Sequence, residues 1–167
     1  MVKIMSMACL LVCALMVAQP AAARTADDPA VILRVTGDVD TPLALTAADL
    51  DSLPRYEVAA VIHDRKVTFK GFALRDVLRR AGPPHGIEVA QAVVVAKARD
   101  GYFAVFALVE LEADFTDRLI IAAEEKDGET LSAKEGPLRS VVQGEKLATR
   151  SVRQLNELEI QLIREKP

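Results

Sequence analysis

The sequence predicts an α+β domain, a mixed β-sheet with short helices. Three observations carry that expectation. Apolar stretches of strand length recur along the chain, helical spacing of apolar residues is confined to two short segments, and Gly, Pro and Asp-Gly turns separate the elements closely. A doubly wound parallel sheet would need a full helix between successive strands, which this order of segments does not supply. The chain has 167 residues, 51% of them hydrophobic, enough for one core without a disulfide or metal staple.

The elements follow in order. Residues 1–23 read as a secretory signal peptide, with Lys3 as a basic start, an apolar run from Ile4 to Ala18, and the small residues Ala21-Ala22-Ala23 as a cleavage site. The run is short for a membrane span, which needs about 20 residues. Residues 24–30 are polar and small and are expected to form a flexible tail. The folded domain is expected over 31–167.

Val31, Leu33 and Val35 alternate with Ile32, Arg34 and Thr36 in a strand ending at Gly37. Thr46-Ala47-Ala48-Asp49 resembles a capping box and opens a helix that stops before Pro54. Tyr56–Ile62 and Val67–Phe69 flank the polar turn His63-Asp64-Arg65-Lys66. Leu74, Val77, Leu78 and Ala81 fall on one helical face, and Gly82 followed by Pro83-Pro84 ends that helix.

Ala92–Ala98 reads as a strand joined through Asp100-Gly101 to a second, Tyr102–Phe106. A short helix is expected over Leu108–Ala113 and a strand over Leu119–Ala123, followed by a turn at Asp127-Gly128. Closing strands are expected at Leu138–Val142 and Leu155–Ile163.

Charge and composition exclude several functions. A net charge of −3 and a pI near 5.5 give no general attraction for nucleic acid, and no membrane association is expected once the signal is removed. The apolar signal carries much of the positive mean hydropathy. It also carries all four methionines and both cysteines, Cys9 and Cys13, so that residues 24–167 contain neither residue type. An exported chain meets an oxidising compartment, and this one brings no thiol into it. The expected location is periplasmic or secreted.

Chemical motifs are sparse. The sequence contains no P-loop, GxGxxG, HExxH or cysteine metal pattern. His63-Asp64 sits at a turn, where adjacent side chains diverge, and His85 lies in a Pro-rich loop. Ser140 has no nucleophile elbow around it. Glu110, Glu112 and Asp114 read as the wet face of a short helix, and Glu124–Glu129 as a solvated hairpin tip.

The stronger signal is cationic. Between residues 134 and 153, Lys134, Arg139, Lys146, Arg150 and Arg153 stand against only Glu135 and Glu145, in a chain that is acidic as a whole. Gly136-Pro137 and Gly144 would let the backbone approach a ligand, and the loop Gly144–Arg150 offers N–H groups and cations to a phosphate. The candidate binding residues are therefore Arg139, Lys146, Arg150 and Arg153. No catalytic residue and no metal ligand is assigned.

The order of segments resembles the oxidoreductase molybdopterin-binding domain family, which has the sulfite-oxidase-type fold. The stretches that carry the resemblance are Val35-Thr36-Gly37-Asp38-Val39, Leu43-Ala44-Leu45-Thr46, and Phe69-Lys70-Gly71-Phe72-Ala73-Leu74-Arg75-Asp76-Val77-Leu78. Further ones are Ala98-Arg99-Asp100-Gly101-Tyr102, Gly136-Pro137-Leu138-Arg139-Ser140-Val141-Val142 and Arg150-Ser151-Val152-Arg153-Gln154-Leu155. They span Val31 to Ile163, and their order and spacing carry the likeness jointly.

The resemblance implies a cofactor, molybdopterin, whose phosphate meets two cations three apart before the closing strand. Arg150 and Arg153 match those positions, with Lys146 in the loop before them. The resemblance also implies a cysteine thiolate on molybdenum, in the loop after the strand matching Tyr56–Ile62. That loop is here His63-Asp64-Arg65-Lys66, with no cysteine. A soft thiolate suits such a metal in a way that His, Asp or Lys does not mimic.

Three readings stay open at this point. One is an exported domain that binds a pterin or similar small anion without thiolate-ligated metal. Another is a molybdoenzyme with a different ligand set, drawing on His63 or Asp64. The third is a non-catalytic module for a periplasmic protein partner.

Overall fold

A computed structural model describes residues 31–62 and 65–164. The expected signal peptide, the expected tail and the pair His63-Asp64 lie outside the described residues. Among the described residues, no helix is long and apolar enough to cross a membrane.

Among the described residues, ten strands and two α-helices follow one another as β1 (Val31–Gly37), β2 (Leu43–Thr46), α1 (Ala47–Asp51), β3 (Tyr56–Ile62), β4 (Arg65–Ala73), α2 (Leu74–Ala81), β5 (Ala92–Ala98), β6 (Phe103–Ala107), β7 (Ile120–Lys126), β8 (Glu129–Thr130), β9 (Arg139–Val142) and β10 (Leu155–Leu162). Three short 3₁₀ turns, Gly86–Gln91, Leu108–Leu111 and Ala148–Arg150, complete the order.

The strands form two sheets. The first runs β2-β1-β10-β5-β6, and the second β3-β4-β7-β8 with β9 also on β7. The first sheet is the mixed one: β1 pairs parallel with β10, while the other pairs are antiparallel. The second is antiparallel throughout. Sequence alternation assigns faces to strands but does not record pairing partners, so the division into two sheets emerges only from the tertiary structure.

The main core lies against the first sheet. Leu33 and Val35 of β1, Val94 and Ala96 of β5, and Leu158 and Ile160 of β10 point into it at alternate positions. α2 adds Leu74, Val77, Leu78 and Ala81, the face its spacing predicts. A smaller core, with Val58, Val67, Phe69, Ile121, Ala123, Leu131 and Val141, lies on the second sheet. Burial of Phe72, Ala122 and Val142 in the main core and of Phe69, Ala123 and Val141 in the smaller one gives both faces of that sheet an apolar covering. Gly71 permits this packing. A Cβ there would stand 2.0 Å from the Ala122 carbonyl oxygen, at the register shift between β4 and β7.

Local signals decide the ends of the elements. Thr46 caps α1: its hydroxyl accepts from the Asp49 N–H at 3.4 Å, and the Asp49 carboxylate accepts from the Thr46 N–H at 2.8 Å. Gly82 ends α2, its N–H donating to the Arg79 carbonyl.

Some expectations change. β2 is a strand of four residues that alternation alone did not reveal, because it runs directly into the cap of α1. The short helix expected over Leu108–Ala113 is a 3₁₀ turn. β7 extends to Lys126, so Glu124 and Glu125 are strand residues and only Asp127-Gly128 forms the tip. Glu124 is a half-buried, paired charge: it accepts from Arg55 Nε at 2.7 Å.

Candidate functional site

A cavity of about 550 Å³ draws on both sheets. The end of β3 supplies Val61 and Ile62, and the β5–β6 turn supplies Asp100 and Tyr102. β9 supplies Arg139, the loop after it supplies Lys146, Leu147, Ala148 and Ser151, and the approach to β10 supplies Arg153. The volume lies in the range of small-molecule sites.

Arg139 is the buried base of this site. Its side chain is 2% exposed and lies over the Phe69 ring, 5.2 Å from the centroid. Its Nε donates to Ser151 Oγ at 2.8 Å, and its Nη1 donates to the Glu135 carboxylate. Burial pushes its pKa below the ordinary arginine value; Glu135 opposes that push, and the neighbouring charge of Arg153 adds to it. Arg139 and Arg153 both line the cavity.

Lys146 and Arg153 are exposed at the cavity wall and form no ion pair among the described residues. Asp100 brings a carboxylate to the same cavity, and its Oδ1 accepts from the Tyr102 N–H at 3.0 Å. The Tyr102 hydroxyl donates to the Thr149 carbonyl and ties the β5–β6 turn to the cationic loop.

A serine pair, Ser140 buried and Ser151 half-buried at the cavity wall, holds that loop against β9. Ser140 Oγ donates to the Arg150 carbonyl at 2.7 Å and accepts from the Val152 N–H at 2.7 Å. Ser151 Oγ donates to the Ser140 carbonyl at 2.6 Å. Ser140 is fully buried in this network, which accounts for a polar residue in the middle of a strand.

The structure brings three of the four candidate cations together. Arg139, Lys146 and Arg153 line the cavity, while Arg150 does not. Arg150 is held by Glu145 and Glu110 and stacks on Phe106. Glu110, expected on a wet face, is half-buried and paired. Neither Gly136 nor Gly144 lines the cavity: Gly136 packs against Leu131, and Gly144, at φ +74°, shapes the loop. His85 lies apart from this cavity, in an open groove with Asp38 and Asp40.

Sequence reasoning missed Asp100 and Tyr102 as parts of the site. Asp100-Gly101 reads locally as a hairpin turn, and its nearness to residues 146–153 is a product of sheet pairing alone. Among the described residues no group of three His, Cys, Asp or Glu side chains is placed to hold a metal ion.

Fold and site together define an α+β domain whose two sheets share a cationic, cofactor-sized cavity, the architecture of the sulfite-oxidase-type fold. The family model described as oxidoreductase molybdopterin binding domain matches residues 21–166, and the chain belongs to that family. Among solved structures, 28 chains match. One is the crystal structure of the sulfane dehydrogenase SoxCD from Paracoccus pantotrophus, with a TM-score of 0.60 at 21% identity. The alignment covers 77% of this chain and 37% of that one, so the chain spans well under half the length of this structural relative. At that identity the likeness concerns the fold. No curated protein matches the sequence.

Membership implies molybdopterin. The donor set fits the anionic, organic part of such a group, since Arg139, Lys146 and Arg153 face one cavity of suitable size. It does not fit thiolate ligation of a metal, because both cysteines of the chain, Cys9 and Cys13, precede the matched residues.

Proposed function

We propose that this chain is an exported member of the family that holds a pterin phosphate, or a similar phosphorylated anion, in the cavity without a cysteine thiolate on molybdenum. The observation that carries the reading is the convergence of Arg139 from β9, Lys146 from the loop after it and Arg153 from the approach to β10 on a cavity with no sulfur donor. Arg139 supplies buried guanidinium donors at the base, its charge balanced by Glu135, while the cavity-facing charges unpaired among the described residues are those of Lys146 and Arg153. Lys146 and Arg153 supply mobile donors at the wall. Export, to the periplasm or outside the cell, rests on the signal-like residues 1–23.

The test is mass spectrometry and metal analysis of the full chain expressed with its signal in a host that makes molybdopterin. The expected result is a phosphorylated organic anion, with molybdenum far below one equivalent. Substituting both Lys146→Met and Arg153→Met is expected to weaken retention by at least about tenfold, as for loss of charge-assisted hydrogen bonds. Protein that carries no small molecule and takes up no pterin phosphate overturns the reading. Stoichiometric molybdenum would instead favour a molybdoenzyme with a ligand set that lacks cysteine.

A second reading, a module for a periplasmic protein partner, is favoured by the apolar rim of the cavity. There Val61 is 50%, Tyr102 49% and Leu147 71% exposed. Recovery of one specific partner by the native protein, lost on Leu147→Asp, would support it.

A further inference from the structure

Arg150 sits in the cationic segment and yet turns away from the cavity. Its Nε donates to Glu145 Oε1 at 2.7 Å, its Nη2 donates to the same oxygen, and its Nη1 donates to Glu110 Oε2 at 3.2 Å. The guanidinium lies 4.8 Å from the centroid of the buried Phe106 ring. Two carboxylates surround one cation, so the cluster offers the cavity no net positive charge.

The far end of the cluster is tied to the first sheet. Glu110 Oε1 also accepts from the Ala107 N–H at 3.2 Å, which fixes it to the end of β6 in the first sheet. The near end is the loop. Glu145 and Arg150 bracket residues 146–149, and their pairing closes that segment on itself; Lys146, Leu147 and Ala148 line the cavity from inside the closure. The Arg150 carbonyl is held by Ser140, so its main chain and side chain anchor the loop at the same point.

We infer that Arg150 is a positioning residue: with Glu110 and Glu145 it forms a clamp that ties the cavity loop to the first sheet and holds Lys146 against the anion. The inference rests on reading the cavity as an anion site. Its effect on binding is indirect, through the placement of Lys146 and Ser151. Burial opposes the charge on Arg150, but hydrogen bonds and attraction from Glu145 and Glu110 outweigh it and raise the pKa.

The experiment follows backbone amide signals of the full chain by NMR, with inorganic phosphate as the probe, in the native protein and in Arg150→Met, Arg150→Lys, Glu145→Gln and Lys146→Met. Without phosphate, amide exchange over 146–150 is expected to rise about tenfold or more in Arg150→Met and Glu145→Gln, with Arg150→Lys between them and the native protein. Unchanged exchange in a folded Arg150→Met protein overturns the clamp.

With phosphate, Arg150→Met and Glu145→Gln are each expected to weaken binding roughly tenfold, and the double variant no more than either alone. Ionic strength should affect Arg150→Met binding as it does the native protein, and Lys146→Met binding less. Tighter binding by Glu145→Gln would make Arg150 a competing anion ligand and overturn the clamp. A native protein that binds no phosphate counts against the anion-site reading, while amide exchange still decides whether the clamp exists.

Discussion

Ser140 illustrates how much one buried hydroxyl can organise. It serves the Arg150 carbonyl and the Val152 N–H at once, and both belong to the segment that shapes the cavity. Ser140→Ala leaves the buried Val152 N–H and the half-buried Arg150 carbonyl without this partner, at a cost of about 1–3 kcal/mol in urea unfolding. The sequence shows a strand serine with no catalytic motif, and its partners come into reach only when the chain returns from β9 to β10. Arg139 was legible as a cation, but its burial was not. The short β9, Arg-Ser-Val-Val, is buried at every position and has no alternation to read.

At the scale of elements, local chemistry predicts most of what is seen. α2 begins and ends where its apolar spacing and Gly82 place it. α1 depends on its capping box, and Asp49 supplies a pH signature. Hydrogen bonds from the Thr46 side chain and backbone hold the Asp49 carboxyl below the ordinary aspartate range. A carboxylate whose pKa is lower in the folded state stabilises above its unfolded pKa and loses that contribution as pH falls through the folded one. Melting temperature should therefore fall more steeply on acidification below the ordinary aspartate range in the native protein than in Asp49→Asn. The elements that escaped sequence reading, β2, β8 and the 3₁₀ turns Gly86–Gln91 and Ala148–Arg150, are too short to show a period.

On the scale of the whole molecule, the first sheet depends on its last strand. β10 lies between β1 and β5, and its Leu158 and Ile160 are fully buried in the main core. The β1–β10 pairing joins Arg34 to Glu157 across most of the chain, a contact that forms only when the domain closes. A chain ending at residue 154 is expected to show no cooperative thermal transition by circular dichroism, since it loses a central strand and not an edge. The same closure assembles the cavity by bringing Asp100, Arg139 and Arg153 to one place.

The sequence by itself determined the alternating faces, the capped helices, the family through the order of its segments, and the absence of cysteine after residue 13. These follow from local spacing and residue type, which need no partner. Only the tertiary structure decided which cations share the cavity. Arg150 is drawn away by Glu110, 40 residues earlier in the chain, and Arg139 is drawn inward over Phe69. A charge in a linear sequence shows its sign, while its availability to a ligand depends on the opposite charges and ring faces that folding brings within reach.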